Sequence, residues 1–311
     1  MIQSESLENS KKENSFVKGV FLVLLGAATL STKAIFVKLS LQHGVDGTTT
    51  LMFRMIFALP YYVGVLLFSN RVKMKSLSSS TWAKVILVGM SGFYLASIFD
   101  FVGLQYVQAN LERLIVFMYP TFVLILAAWI FKRTVSRVQI IAVSITYLGI
   151  VIAFLSQDFA ITERTVWIGT VYIILSAVFY SIFLVFSDNL IEQMGSVLFN
   201  SVTMLAGIVA VLVHYFIVYG FVLTGFEWQV YMYGILMAII ATIIPSLALT
   251  KGISLIGSSN AAILSTFGPV VTISMSYFIL HEPFSFVQGI GTVLVLFGVV
   301  FLSLKGNVLK E

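Results

Sequence analysis

Residues 103–149 read GLQYVQANLERLIVFMYPTFVLILAAWIFKRTVSRVQIIAVSITYLG, and a degenerate copy of this pattern follows at residues 252–298. The copy lies at a constant offset of 149 residues, has no gap and keeps eight identities in 47 positions. About half of these identities are expected by chance in a chain so rich in Ile, Val and Leu. The informative pairs are Gly103/Gly252, Pro120/Pro269, Gln139/Gln288 and Gly149/Gly298. The repeat predicts a molecule made of two copies of one unit.

The composition indicates an integral membrane protein. Hydrophobic residues make up 59% of the chain, charged residues only 10%, and the mean hydropathy is +1.03. A soluble domain has about half its residues apolar and about a quarter charged. The formal net charge of +5 does not point to nucleic acid, because the basic residues lie mostly in loops between apolar runs. With no cysteine, the chain has neither disulfides nor thiolate metal sites.

Ten apolar stretches are long enough to cross a bilayer, which takes about 20 residues each. The predicted spans are 17–39, 48–68, 82–101, 107–131, 138–155, 166–186, 197–220, 228–249, 256–280 and 286–304. We therefore predict an all-α integral membrane protein with ten transmembrane helices. Residues 1–16 are predicted to be a disordered cytoplasmic tail, and residues 17–156 and 165–305 to be the two five-helix units. Gly103 and Gly252 are predicted to form very short turns.

The distribution of Lys and Arg predicts the orientation of these spans. With the N-terminus in the cytoplasm, thirteen Lys and Arg residues fall in cytoplasmic segments and only Arg164 falls outside. This bias predicts that both termini are cytoplasmic. Since each unit has five helices, the second unit must enter the membrane from the opposite side. Such inverted repeats are frequent in secondary transporters, which bind solute near the membrane midplane.

The repeated Pro residues and the run His281-Glu282-Pro283-Phe284-Ser285 resemble the EamA-type members of the drug/metabolite transporter superfamily. The stretch Asn110-Leu111-Glu112-Arg113-Leu114-Ile115 resembles a form found in part of that family. The resemblance covers roughly residues 18–305. It implies a secondary transporter in the bacterial plasma (inner) membrane that exports or exchanges small polar metabolites, often amino acids, without a bound cofactor. The family's acidic residue after the fourth helix is present as Glu282, but Lys132-Arg133-Thr134 replaces it in the first copy.

Charged residues inside apolar runs are the candidate substrate-binding residues, because each costs about 2.5–3.5 kcal/mol at a helix centre. The predicted substrate-binding residues are Lys33, Arg54, Tyr94, Asp100, Glu112 and Arg113. The predicted topology places the five charged ones in one layer of the outer half of the membrane. The repeat-equivalent positions are uncharged, so the charge is concentrated in the first unit.

Several of these residues have structural interpretations as well. Glu112 lies in the first turn of its helix, where the helix dipole favours a carboxylate. Arg54 and Asp100 are expected to pair with each other if their role is only to join two helices. Pro120 and Pro269 are either packing kinks or hinges, and we favour hinges because both copies have them.

The charged layer carries three positive and two negative groups, and the unmatched positive charge suggests an anionic or zwitterionic solute. Arg113 or Lys33 is expected to bind a carboxylate, while Asp100 or Glu112 receives an ammonium group or a proton. A carrier that exports lipophilic cations is the alternative, and a scaffold or receptor is a further one. An enzyme is disfavoured, since the sequence has no metal or phosphate motif. The expected partners are a small-molecule solute and the lipid bilayer, with no nucleic acid and no metal; a homodimer is left open.

Overall fold

The computed structural model describes residues 2–68, 77–132, 136–155, 164–256, 261, 264–265 and 267–306. The elements within these ranges are helices, which we number α1 to α10. They are α1 (Ile2–Ser31, continued by Lys33–Leu41), α2 (Gly47–Leu67), α3 (Ser79–Gly89, Met90–Leu95 and Ala96–Gly103), α4 (Ala109–Val116 and Tyr119–Phe131), α5 (Arg137–Leu155), α6 (Arg164–Met194), α7 (Ser196–Tyr219), α8 (Trp228–Ala238, Ile239–Ile243 and Ile244–Ile256), α9 (Phe267–Ile279) and α10 (Phe286–Gly306).

Eight of these helices, α1 to α8, are long and apolar enough to cross a membrane. The apolar stretches of α9, Phe267–Ile279, and of α10, Phe286–Leu302, are shorter. The prediction of an all-helical membrane protein is confirmed at this level. Residues 156–163, which contain the predicted boundary between the two units, lie outside the described residues.

Some helix ends differ from the prediction. The backbone is helical from Ile2, so the polar N-terminal segment continues α1 where disorder was predicted. Helix α8 runs to Ile256, seven residues past the predicted end, and Gly252 lies inside it rather than in a turn. The reason is packing: a Cβ on Gly252 would lie 2.6 Å from Cγ2 of Val23 and 3.1 Å from the carbonyl oxygen of Gly19. Gly252 therefore lets α1 and α8 approach closely.

Four helices are interrupted within the apolar region. Helix α1 turns at Thr32, and α4 turns at Phe117 and Met118 before it resumes at Tyr119. Pro120 occupies the first turn of the resumed segment, where its missing N–H removes no helical hydrogen bond. Helices α3 and α8 contain π-helical segments, Met90–Leu95 and Ile239–Ile243. Such segments widen a helix by one residue per turn and are frequent at functional sites.

The largest buried apolar cluster lies among α1, α2, α3, α7 and α8 and includes Ile35, Met55, Phe101, Ile208 and Met237. Helices α5 and α10 pack apart from this cluster, with their backbones in close contact. A Cβ built on Gly149 would lie 2.5 Å from the carbonyl oxygen of Gly291, and one built on Gly291 would lie 2.6 Å from that of Gly149. Without water in the bilayer, close approach of small residues is a main source of helix association.

Candidate functional site

The break in α1 positions Lys33. Thr32 ends the first segment, where its backbone N–H donates to the carbonyl of Thr29 at 3.2 Å. The side-chain hydroxyl of Thr32 donates to the same carbonyl at 2.7 Å. Local hydrogen bonds of this kind compete with the regular helical pattern and bend a helix. Lys33 follows as the first residue of the second segment, inside the apolar region.

Lys33 holds two carboxylates at once. Its Nζ donates to Oδ2 of Asp100 at 2.5 Å and to Oε1 of Glu112 at 3.2 Å. The Lys33 side chain is 17% exposed, that of Asp100 5% and that of Glu112 0%. Three helices, α1, α3 and α4, therefore meet at a nearly dry ion triad. Its desolvation is repaid only while all three charges stay together.

Arg113 lies beside the triad but is held by weaker contacts. Its Nη2 donates to Oγ of Ser31 at 3.4 Å, and its guanidinium carbon lies 5.6 Å from the ring centroid of Phe117. Its Nε is buried and has no hydrogen-bond partner among the described residues. A Cβ on Gly268 would lie 2.6 Å from Nη2, so the absence of a side chain in α9 makes room for the guanidinium. We call Lys33, Asp100, Glu112 and Arg113 the charged cluster.

Arg54 is buried on α2, with 6% of its surface exposed. Its Nε donates to Oγ1 of Thr242 at 2.8 Å, and its guanidinium carbon lies 5.5 Å from the ring centroid of Phe101. Thr242 belongs to the π-helical segment of α8. Arg54 and Asp100 do not form the expected pair. Asp100 bonds to Lys33, and Arg54 bonds to Thr242.

Tyr94 lies apart from the charged cluster. It is six residues before Asp100 on α3, about 9 Å along the helix axis. Its hydroxyl bonds to Nδ1 of His214 on α7 at 2.9 Å, and the two rings meet edge to face. His214 is thus a hydrogen-bonded group between two helices.

The charged groups of the predicted layer do not pair one to one. One lysine, Lys33, serves both carboxylates of the layer. Across the described residues, neither guanidinium of the layer has a carboxylate at salt-bridge distance. Asp100 Oδ1 and Glu112 Oε2 are buried, and neither has a hydrogen-bond partner among these residues. The layer keeps two arginines, with no anionic partner in the described chain, next to a triad of net charge −1.

Glu282 fixes the start of α4. Its carboxylate accepts hydrogen bonds from the backbone N–H of Ala109 at 2.9 Å and of Asn110 at 3.3 Å. The Ser276 hydroxyl also donates to this carboxylate, and Nδ2 of Asn110 donates to the carbonyl of Pro283 at 3.4 Å. A carboxylate at a helix N-terminus satisfies free N–H groups and complements the dipole. Glu282 thus ties the α9–α10 connection to the helix that carries Glu112 and Arg113. Arg133, its counterpart in the first copy, lies outside the described residues.

Sequence reasoning missed the neutral partners Ser31, Phe117, Thr242 and Gly268. Ser and Thr are common in apolar helices, so nothing in the sequence marks Ser31 and Thr242 as partners of the two arginines. Among the described residues, no group of three or more His, Cys, Asp or Glu side chains could hold a metal ion.

Comparison with known proteins places these features in a family. The model of the EamA-like transporter family matches residues 17–155 and again residues 167–304. The chain belongs to this family. It is therefore an integral membrane protein of transporter type, and the resemblance seen in the sequence is confirmed.

Relatives and a solved structure cover nearly the whole EamA-like chain. YcbK, an uncharacterized transporter of Bacillus subtilis, is 28% identical over 304 residues, which are 96% of this chain and 95% of the relative. YdfC of the same organism, also an uncharacterized transporter, is 24% identical over 272 residues and covers 87% of each chain. One crystal structure superposes with a TM-score of 0.64 at 13% identity, covering 96% of this chain and 99% of the other. That likeness supports the fold alone.

Proposed function

We propose that this protein is a secondary transporter of small polar metabolites of amino-acid type, an exporter or exchanger that works by alternating access. The observation that carries the proposal is Arg113. Its guanidinium is held only by a long hydrogen bond to Ser31 and by the ring of Phe117, with a buried Nε left without a partner. A buried cation with so few partners costs free energy, and such residues in membrane proteins are usually kept because they bind a solute.

An amino-acid-like solute complements the charged cluster. The planar fork of Arg113 matches a carboxylate in bidentate geometry. The free oxygens of Asp100 and Glu112 are acceptors for an ammonium group or a proton. One solute with both charges therefore meets both unsatisfied parts of the cluster.

Inverted repeats with ten crossings are the architecture we propose for this function. The packing supports it, because α1 lies along α8 and α3 lies along α6, so the first helix of each half contacts the third helix of the other. The π-helical segments of α3 and α8 begin 149 residues apart, the offset of the repeat. Gly298 approaches the carbonyl of Ala142 as Gly149 approaches that of Gly291, and these two contacts are related by the same offset.

Contacts between connections support alternation across the membrane. His43 Nδ1 lies 2.7 Å from Oε2 of Glu227, which brings the α1–α2 and α7–α8 connections to one face. Thr81 Oγ1 lies 3.3 Å from Oε1 of Gln193, which brings the start of α3 and the end of α6 together on one face. Under the proposed topology the first face is outside and the second is in the cytoplasm of a bacterial cell, with both termini cytoplasmic.

Transport by the purified protein in lipid vesicles tests the proposal. The wild type should move amino acids in the absence of any other protein. Arg113→Gln should weaken solute affinity by roughly tenfold to a hundredfold, since a hydrogen bond to a charged group contributes about 1.5–3 kcal/mol. Arg164→Gln, which changes an exposed arginine at the start of α6, is the matched control and should behave as wild type.

Two outcomes would contradict the proposal. One is undiminished amino-acid transport in both Arg113→Gln and Lys33→Gln. The other is a wild type that ignores amino acids while it exports a lipophilic cation such as tetraphenylphosphonium; the two free carboxylate oxygens make this the second candidate function. Vesicles that move neither class of solute would favour a scaffold or receptor.

A further inference from the structure

A cavity lies away from the charged cluster. It has a volume of about 280 Å³ and is bounded by the C-terminal half of α2, the start of α7 and the last turns of α8. We call it the inner pocket. Under the proposed topology all three bounding segments are the cytoplasmic ends of their helices. The charged cluster lies in the opposite half of the membrane.

The lining of the inner pocket suits a small solute with a carboxylate. Tyr62 is only 1% exposed, and its hydroxyl lies close to Ser246 and Asn200. Asn200 Nδ2 donates to Oγ of Ser246 at 2.9 Å, which leaves further donors and acceptors for a ligand. Lys251 is exposed at the end of α8 and is the one charged residue among the twelve described lining residues. None of the twelve is acidic.

The Arg54–Thr242 hydrogen bond separates the inner pocket from the charged cluster. Thr242 lies four residues before Ser246 on α8, about 6 Å along the axis, and Arg54 lies eight residues before Tyr62 on α2, about 12 Å. Arg54 is within electrostatic range of both Tyr62 on the pocket side and Asp100 on the cluster side.

We propose that the inner pocket is a second solute site, on the cytoplasmic side of the Arg54–Thr242 contact, for the same amino-acid-like solutes. The solute's carboxylate binds Lys251, and its remaining polar groups meet Tyr62 and Asn200. This inference rests on the proposed function for the solute class and adds a site that can be occupied independently of Arg113. Its volume of about 280 Å³ lies just below the range of about 300–1,000 Å³ for pockets of drug-sized ligands, which suits a smaller metabolite.

Cysteine labelling tests the inner pocket directly, because the natural chain contains no cysteine. Thr250→Cys places a single thiol in the pocket, and Ser254→Cys is a second lining variant should the first fail to fold. Ser80→Cys, exposed at the start of α3, is the control outside the pocket. The rate of maleimide labelling is measured on full-length protein in detergent, with the standard amino acids added one at a time.

The expected result is that at least one amino acid slows labelling of Thr250→Cys. At a solute concentration ten times its dissociation constant, mass action predicts roughly a tenfold reduction. Labelling of Ser80→Cys should not change. Protection should persist when Arg113→Gln is added, because the inner pocket does not use Arg113.

Other results would overturn the second site. Protection that disappears with Arg113→Gln would mean that binding at the charged cluster closes the pocket, which leaves the proposed function intact. Absence of labelling without solute, or of protection by any amino acid, would exclude the second site. If amino acids still raise the melting temperature of the wild type and not of Arg113→Gln, the proposed function survives that exclusion. If they raise neither, both proposals fail.

Discussion

Lys33 forms ion pairs with two carboxylates across three helices, and this arrangement makes it a stability determinant as well as a candidate site residue. Removing one partner of a buried ion pair costs about 3–5 kcal/mol, mostly because the other charge stays buried and unpaired. Replacing all the partners with neutral groups of similar volume often costs little. Comparing these two cases shows whether charge pairing or packing holds the three residues together.

Lys33→Met should therefore lower the free energy of unfolding by about 3–5 kcal/mol. Combining it with Asp100→Asn and Glu112→Gln should recover most of that loss. Denaturant unfolding of the detergent-solubilised protein measures both. Lys84→Met, which changes an exposed lysine of α3, is the control and should have little effect. A triple variant as unstable as Lys33→Met would show that packing, not charge, holds these residues.

Gly268 gives a test of where Arg113 must lie. An alanine methyl at this position would come within 2.6 Å of Nη2 of Arg113 and 2.8 Å of Oγ of Ser31, so both side-chain ends must shift. Gly268→Ala should weaken amino-acid affinity by about tenfold, or ~1.4 kcal/mol. Added to Arg113→Gln it should have no further effect, as expected of coupled neighbours. Additive losses of affinity in the double variant, measured by titration, would place the effect of Gly268 elsewhere.

The charged residues of the candidate site stand out in the sequence because charge inside an apolar run is rare, and their role in binding stays a prediction. Their pairing was not, since Lys33, Asp100 and Glu112 come from three helices and sequence gives no distances between them. Gly268 carries no charge at all. Its relation to Arg113 follows only from the packing of α9 against α4.

At the scale of the helix, some interruptions can be predicted from the sequence and others cannot. Pro120 announces a break in α4, and the structure has one directly before it. The π-helical segments of α3 and α8 have no such mark, because an extra residue in a helical turn is decided by packing against neighbouring helices. Thr32 is an ordinary residue for a membrane helix, and its turn depends on local side-chain hydrogen bonds. The predicted hinge role of Pro120 and Pro269 stays a prediction.

Pro120→Ala should slow transport by about tenfold while solute affinity and melting temperature stay near those of wild type. The physical reason is that Pro120 lies in the first turn of its segment, where alanine is compatible with the folded structure and adds an N–H that can close the break. Transport rate and binding are measured separately in vesicles and in detergent. Pro60→Ala is the control, since Pro60 lies inside the uninterrupted helix α2. Weak binding and early melting of Pro120→Ala would mark the break as structural.

At the scale of the whole molecule, Lys and Arg counts and the repeat predict the topology, and the number and orientation of the crossings stay predictions. Over the described residues, eight helices are long and apolar enough to cross a membrane, and α9 and the apolar stretch of α10 are shorter. The sequence also could not show that α1 packs along α8 and α3 along α6. That property depends on which apolar faces meet, and most of these faces have similar composition.

A reporter enzyme that is active only outside the cytoplasm tests the topology. Fused after Lys310 it should be inactive, and inserted in the α7–α8 connection at residues 220–227 it should be active. Both results follow from the thirteen-to-one bias of Lys and Arg. Full-length transport activity of each fusion is the control for correct folding. Activity after Lys310 would require an odd number of crossings and would exclude inverted five-helix halves.

The glycine contact between α5 and α10 has a consequence for synthesis of the protein. Helix α5 is complete at Leu155, but its partner is complete only at Gly306, the end of the described chain. At the usual 5–20 residues per second, a ribosome needs roughly 8–30 s to make the intervening chain. During that time Gly149 does not yet have Gly291 to pack against, and α1 still lacks its partner α8 for part of it. The first half thus enters the membrane as an open, unfinished assembly, and the nascent protein closes only when its last helix is inserted.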